Sequence, residues 1–211
     1  MNRRIAAALV AASMVCGVGL GFLISRWNDG PADADTATPP SPSSSTSPRS
    51  GTPDDPSVEL KIRPGGVGLI EAGMTGEQAL STGQVERDTK REQMCEGIYY
   101  RWKDAEARSA LDLATDPDGT IVSIGISGDI YSTGTGVRIG DTLATLRQTY
   151  GDRLSSVQSA GYDQDGVFVK DGDRWLGFLL DSARSGIDDS TRVVFMEATK
   201  GNKPGLMRDG C

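Results

Sequence analysis

Four pairs of acids punctuate the later part of this 211-residue chain: Asp116 and Asp118, Asp163 and Asp165, Asp171 and Asp173, Asp188 and Asp189. Carboxylates so spaced could offer hard oxygen ligands to calcium. An EF-hand loop needs acids at its positions 1, 3 and 5, with glycine at 6 and glutamate at 12. Setting Gly119 or Gly166 at the sixth position puts Ala114 or Gly161 at the first, and neither side chain carries an oxygen. Asp-Gly is also a common hairpin pair. The acids therefore read as turn residues, and no metal site is expected.

Other chemistries fare no better. Histidine is absent, which removes the usual general base, triad member and zinc ligand. Neither GxSxG nor SxxK occurs. Neither GMTGEQALSTG (73–83) nor GDTLATLRQTYG (140–151) has the lysine of a phosphate-binding loop, and GVGLIEAG lacks the dinucleotide spacing. Their glycines read as caps and turns. No catalytic residue and no cofactor is expected, and the chain reads as a non-enzyme. A hydrolase using paired carboxylates stands as the alternative, because spacing along a chain does not place two acids across a cleft.

The surroundings of these residues divide into four parts. Residues 1–4 carry Arg3 and Arg4, and residues 5–25 contain no charge. That run suits a helix, since about 20 apolar residues cross the hydrocarbon core. A cleaved signal peptide has a shorter apolar region, so residues 5–27 read as a transmembrane signal-anchor, with secretion after cleavage as the alternative and lipidation at Cys16 a distant third. The two arginines place the N-terminus in the cytoplasm and the rest outside. Residues 28–57 hold seven of the ten prolines among Ser, Thr, Asp and Gly, which reads as a disordered, semi-rigid linker. Residues 58–211 are long enough for one folded domain. They carry 18 Lys and Arg against 24 Asp and Glu, a net charge of −6, which argues against nucleic acid and anionic headgroups as partners.

Cys16 falls in the uncharged run, leaving Cys95 and Cys211 in the exported part. A reactive thiol would want an activating base, whereas two cysteines outside the cytoplasm favour a structural bridge. A Cys95–Cys211 disulfide is the expectation.

Two stretches open in the same way. In GMTGEQALSTG, Thr75 stands at an N-cap with Gln78 at the capping-box spacing, and Gly83 closes the segment. In GDTLATLRQTYG, Asp141 or Thr142 caps, Leu143, Leu146 and Tyr150 recur at helical spacing, and Gly151 closes. Strands are expected at 98–102, 111–115 and 120–127 after the first helix, and at 166–170, 175–180 and 192–199 after the second. Residues 85–94 and 103–110 read ambiguously, the former as a short second helix. The fold expected is α+β: two tandem units, 66–127 and 134–199, each a short helix followed by about three antiparallel strands.

This duplicated Gly-Met-Thr lead-in to a helix and sheet resembles the repeats of the β-lactamase inhibitory protein family, and small outer-membrane assembly lipoproteins resemble one such unit. It is also similar to secreted or membrane-anchored bacterial envelope proteins without known activity. The resemblance implies a binding or scaffolding domain rather than an enzyme, with an envelope protein or cell-wall component as the unknown partner. The inhibitor's contact residues are not carried over, because its binding surface is not matched to positions of this sequence. The aromatic cluster Tyr99, Tyr100 and Trp102 is the candidate interaction surface.

Overall fold

The computed structural model describes residues 59–161, 164–182 and 184–207. The expected membrane segment (5–27), the linker (28–57) and Cys211 lie outside the described residues. Among those described, no helix is long and apolar enough to cross a membrane. The fold is α+β, with antiparallel sheets and short helices.

A small meander, β1 (Ile62–Arg63), β2 (Gly66–Val67) and β3 (Ile70–Glu71), leads into helix α1 (Gly76–Ser81). The capping box is closed in both directions. Thr75 Oγ1 accepts from the Gln78 N–H at 3.3 Å, and Gln78 Oε1 accepts from the Thr75 N–H at 2.9 Å. Two donors that the first turn leaves orphaned are thereby satisfied. Next come β4 (Val85–Arg87), α2 (Thr89–Glu92), β5 (Tyr100–Trp102), α3 (Ala105–Ala110) and the hairpin β6 (Leu111–Thr115) and β7 (Ile121–Ile126). Residues 85–94, ambiguous in sequence with a short second helix as one reading, form a strand and then a helical turn. Three-residue Val-Glu-Arg has no alternation long enough to register as a strand, and its pairing with β5 decides its conformation.

Helix α4 (Leu143–Tyr150) is capped by Thr142, whose Oγ1 accepts from the Thr145 N–H. It is followed by β8 (Gln158–Gly161), β9 (Gln164–Asp171), β10 (Arg174–Leu180) and β11 (Val193–Lys200). The six-stranded sheet runs β6-β7-β11-β10-β9-β8, so the two long hairpins join through β7 and β11. β8, the polar Gln-Ser-Ala-Gly, was not foreseen from the sequence. It adds to the edge of β9 through backbone bonds that need no apolar side chain.

The β7–β11 junction has a specific regularity. Its pairs are Ile126↔Met196, Gly125↔Glu197, Ile124↔Ala198 and Ser123↔Thr199. Every antiparallel ladder has local two-folds, but the one through Gly125 and Glu197 also carries irregular features onto each other. The register of β6 with β7 shifts before Thr115↔Ile121, and that of β10 with β11 shifts before Leu180↔Val193. Val122 and Val194 are the extra residues at these bulges, and both turn out to solvent. The Gly73 N–H donates to the Ile121 carbonyl while the Ile121 N–H donates to the Met74 carbonyl. Gly140, Val193 and Asp141 repeat that exchange. Gly73 and Gly140 both take φ of 90°, a left-handed value that a side chain would strain.

One face of the six-stranded sheet packs into the main core. There Leu143, Leu146 and Tyr150 of α4 cluster with Ile124, Ile126, Leu176, Phe178 and Met196. The Tyr150 and Phe178 rings stand 5.7 Å apart. The other face carries a smaller cluster of Phe168, Leu179, Phe195 and Leu206, and beside it lies the candidate site.

Candidate functional site

The expected aromatic surface is corrected by burial. Trp102 is 1% exposed and Tyr100 6%, both inside the main core. Residues two apart on a strand share a face, and this face is the one turned inward, as the burial of the alternate positions in β5 records. Tyr99 is buried too, covered by the Arg91 guanidinium 4.7 Å from its ring centroid. No broad aromatic patch results.

Most of the acid pairs do the work of turns. Asp116 Oδ1 accepts from the N–H groups of Asp118 and Thr120, holding the β6–β7 hairpin. Asp188 Oδ1 accepts from the Ser190 N–H and hydroxyl, and these bonds hold its carboxyl below the usual aspartate range. Asp165 is buried on β9 and receives two bonds from the Arg184 guanidinium, at 2.6 and 3.0 Å. Among the described residues, no group of three or more potential ligands is placed to hold a metal.

What the sequence did not point to is a trough on the second face of the sheet, with a volume of about 540 Å³. Its floor is Ala114, Ser123, Gly125 and Ser127 from β6, β7 and the residue that follows β7, with Phe195, Glu197 and Thr199 of β11 beside them. These positions alternate with the core residues Leu113, Ile124 and Ile126, so the strand period sets the trough against the core. The floor is low because its side chains are small. At Gly125 a Cβ would meet the Phe195 ring at 3.0 Å, so this glycine lets the ring lie across the junction.

Two walls come from distant parts of the chain. On one side stand Arg91 and Tyr99, and Arg91 Nη1 reaches Asp112 Oδ1 of β6 at 3.6 Å. On the other side runs the segment after β11, contributing Asn202, Lys203, Gly205 and Met207. That segment has no regular structure, as its glycines and proline suggest, yet it is firmly seated. The Thr199 hydroxyl donates to the Asn202 carbonyl at 2.6 Å, and Glu197 Oε2 accepts from the Leu206 N–H at 2.6 Å. The Lys203 ammonium lies 4.6 Å from the Phe168 ring centroid. Leu206 is 1% exposed and fits where Gly166 and Gly177 leave the sheet bare.

The middle of the trough is a single row across three strands. Asp112 pairs with Gly125, and Gly125 pairs with Glu197. Two acids thus flank a glycine at about 10 Å between Cα atoms, two strand spacings of ~4.8 Å. Beyond the Arg91 wall, just after α2, Cys95 is buried and disulfide-bonded. Its N–H donates to the Arg91 carbonyl at 2.8 Å. Its expected partner, Cys211, is outside the described residues.

No family model matches the chain, and no curated protein matches it. Among solved structures it is similar to the uncharacterized protein yfeY from Escherichia coli, at 16% identity and a TM-score of 0.41, over 66% of this chain and 99% of that one.

Proposed function

We propose that this chain is a membrane-tethered binding or scaffolding protein of the cell envelope, non-catalytic, which uses the second face of its sheet as the recognition surface. The observation that carries this reading is the trough: small side chains on a rigid strand floor, mixed charges along the rims, and walls drawn from two separate segments. A floor of Ala, Ser and Gly admits close approach by another chain. The rim charges Arg91, Asp112, Glu197, Lys200 and Lys203 give that approach its orientation more than its strength. The 21 uncharged residues after Arg3-Arg4 support a single-pass anchor, with the folded part outside the cytoplasm.

The same reading takes residues 66–127 and 134–199 as tandem units joined at the Gly125–Glu197 pair. Its support is that one local two-fold relates bulge to bulge and glycine lead-in to glycine lead-in. A shared surface then spans the junction between the units rather than belonging to either.

A carboxylate-dependent hydrolase is the second reading, favoured by the Asp112–Gly125–Glu197 row. Inverting glycosidases hold their carboxyl groups about 6.5–9.5 Å apart. Glu197, however, is already engaged by the buried Leu206 N–H, and Asp112 by Arg91.

The test is Ser123→Trp in the full chain, which fills the trough floor from a half-buried position. Binding to isolated peptidoglycan and to cross-linkable envelope proteins should fall at least tenfold while the thermal transition is retained. Undiminished binding by a folded Ser123→Trp protein would remove the trough from the account. Alkaline phosphatase fused after residue 211 should be active in cells; a fusion active only when retained in the cytoplasm overturns the topology.

A further inference from the structure

The local two-fold at the β7–β11 junction relates the trough to a part of the same sheet face that the chain itself fills. It carries β6 onto β10 and β7 onto β11, so Asp112 answers to Gly177, Ala114 to Leu179, Ser123 to Phe195 and Gly125 to Glu197. In the filled half, the cross-strand pair Leu179–Phe195 packs with Leu206 of the segment after β11. A Cβ on Gly177 would meet the Leu206 side chain at 2.8 Å, and the Leu206 N–H donates to the Glu197 carboxylate at 2.6 Å. That half seats a passing, irregular chain by one buried side chain and one backbone bond to an acid. We propose that the trough is a second seat of this kind and takes a linear segment of a partner protein, one aromatic side chain resting on Ala114 and Ser123 and its own N–H given to Asp112. This rests on the reading of the trough as the recognition surface and adds the class of partner and the anchor it carries.

Size sets the anchor. The cross-strand pair Ala114–Ser123 stands where Leu179–Phe195 stands in the filled half. Two small side chains in place of two large ones leave room for an anchor bulkier than leucine. The Phe195 ring, which reaches over Gly125 to within 3.0 Å of a Cβ built there, lines the trough beside that pair, with Tyr99 on the wall. An aromatic anchor gains ring contacts there beyond the area it buries. Asp112 supplies the acceptor. It lies two residues before Ala114 on the same face of β6, its carboxylate is exposed, and a 3.6 Å approach by Arg91 leaves lone pairs for an N–H. Across the trough Lys200 and Lys203 stand on the opposite rim, which suits an acid in the segment close to the anchor.

The test selects random linear peptides, displayed on phage, against the full chain. The selected peptides should share one aromatic position with an acid near it. Ala114→Leu, a change at an exposed position, should weaken their binding at least tenfold with the thermal transition retained, and Ser123→Trp should do the same. Asp112→Ala in the protein and N-methylation of the peptide's aromatic residue should each weaken binding severalfold, and the two losses should not add, because they remove one bond. No enrichment, peptides with no shared aromatic, or binding unchanged in folded Ala114→Leu overturns the seat. Loss of peptidoglycan binding in Ser123→Trp alongside a failed selection leaves the recognition surface standing and removes the polypeptide partner. Peptides seated in the trough while Ser123→Trp keeps its peptidoglycan and envelope-protein binding do the reverse.

Discussion

Replacing Leu206 tests how the tail is held to the sheet. The side chain is 1% exposed and packs with Phe168, Leu179 and Phe195 over Gly166 and Gly177. Truncating a buried leucine to alanine costs about 2–5 kcal/mol. The tail has no regular structure around it and can sink partway into the space, so Leu206→Ala should lose about 2–3 kcal/mol. The backbone adds a second expectation. Leu206 is the one non-glycine residue at positive φ among those described, at 54°, a conformation that costs an L residue about 1–2 kcal/mol. Glycine is ordinarily worse than alanine by roughly 0.5–1 kcal/mol through the unfolded chain. Here relief of strain offsets that penalty, so Leu206→Gly should be no less stable than Leu206→Ala. Urea unfolding of residues 58–211, followed through the fluorescence of Trp102 and Trp175, measures both. A loss under about 0.5 kcal/mol for Leu206→Ala, the size of an ordinary surface change, would mean that the tail is not anchored there. A glycine variant clearly weaker than the alanine one would refute the strain argument.

Thr142→Ala should cost about 1 kcal/mol in the same assay, the usual value of an N-cap side chain, with Thr142→Ser close to wild type. Thr75→Ala should cost about as much, because it removes the Oγ1 that accepts from the Gln78 N–H while the N–H of residue 75 still donates to Gln78 Oε1; equal stability of wild type and both alanine variants would show that the lead-ins are held by their sheet bonds alone. Acid should weaken the fold around α2. Glu92 is held below the usual glutamate range, first by its bond with Arg87 and then by the Tyr99 N–H. The sign follows: this contribution is present above the ordinary glutamate pKa and is lost as pH falls through the lower folded value. Asp188, lowered by Ser190, acts in the same direction. Glu92→Gln should therefore flatten the acid limb of a stability–pH curve, and an unchanged limb would refute the assignment.

Local spacing carried much of the fold into view. Thr75 with Gln78, and Thr142 with Leu143, Leu146 and Tyr150, marked both helices, because caps and helical periodicity act over a few residues. The hairpin at Asp116–Gly119 and the long apolar strands after residue 164 were legible for the same reason. β4 and β8 were not, since strands this short are defined by the partner they pair with. The aromatic run at Tyr99 to Trp102 gives the clearest case. Its composition announces large side chains, but alternation alone does not say which face points inward, and α2 with its Arg91 buries the remaining ring. The trough lies further still from the sequence. Its Arg91–Tyr99 wall and its tail wall come from segments about a hundred residues apart, brought to one floor only when β7 pairs with β11 in one register. Composition determined that this chain has an uncharged N-terminal run, a proline-rich stretch and an acidic folding part without histidine. Tertiary pairing decided which small side chains form an open floor, because burial is a property of what arrives from elsewhere in the chain.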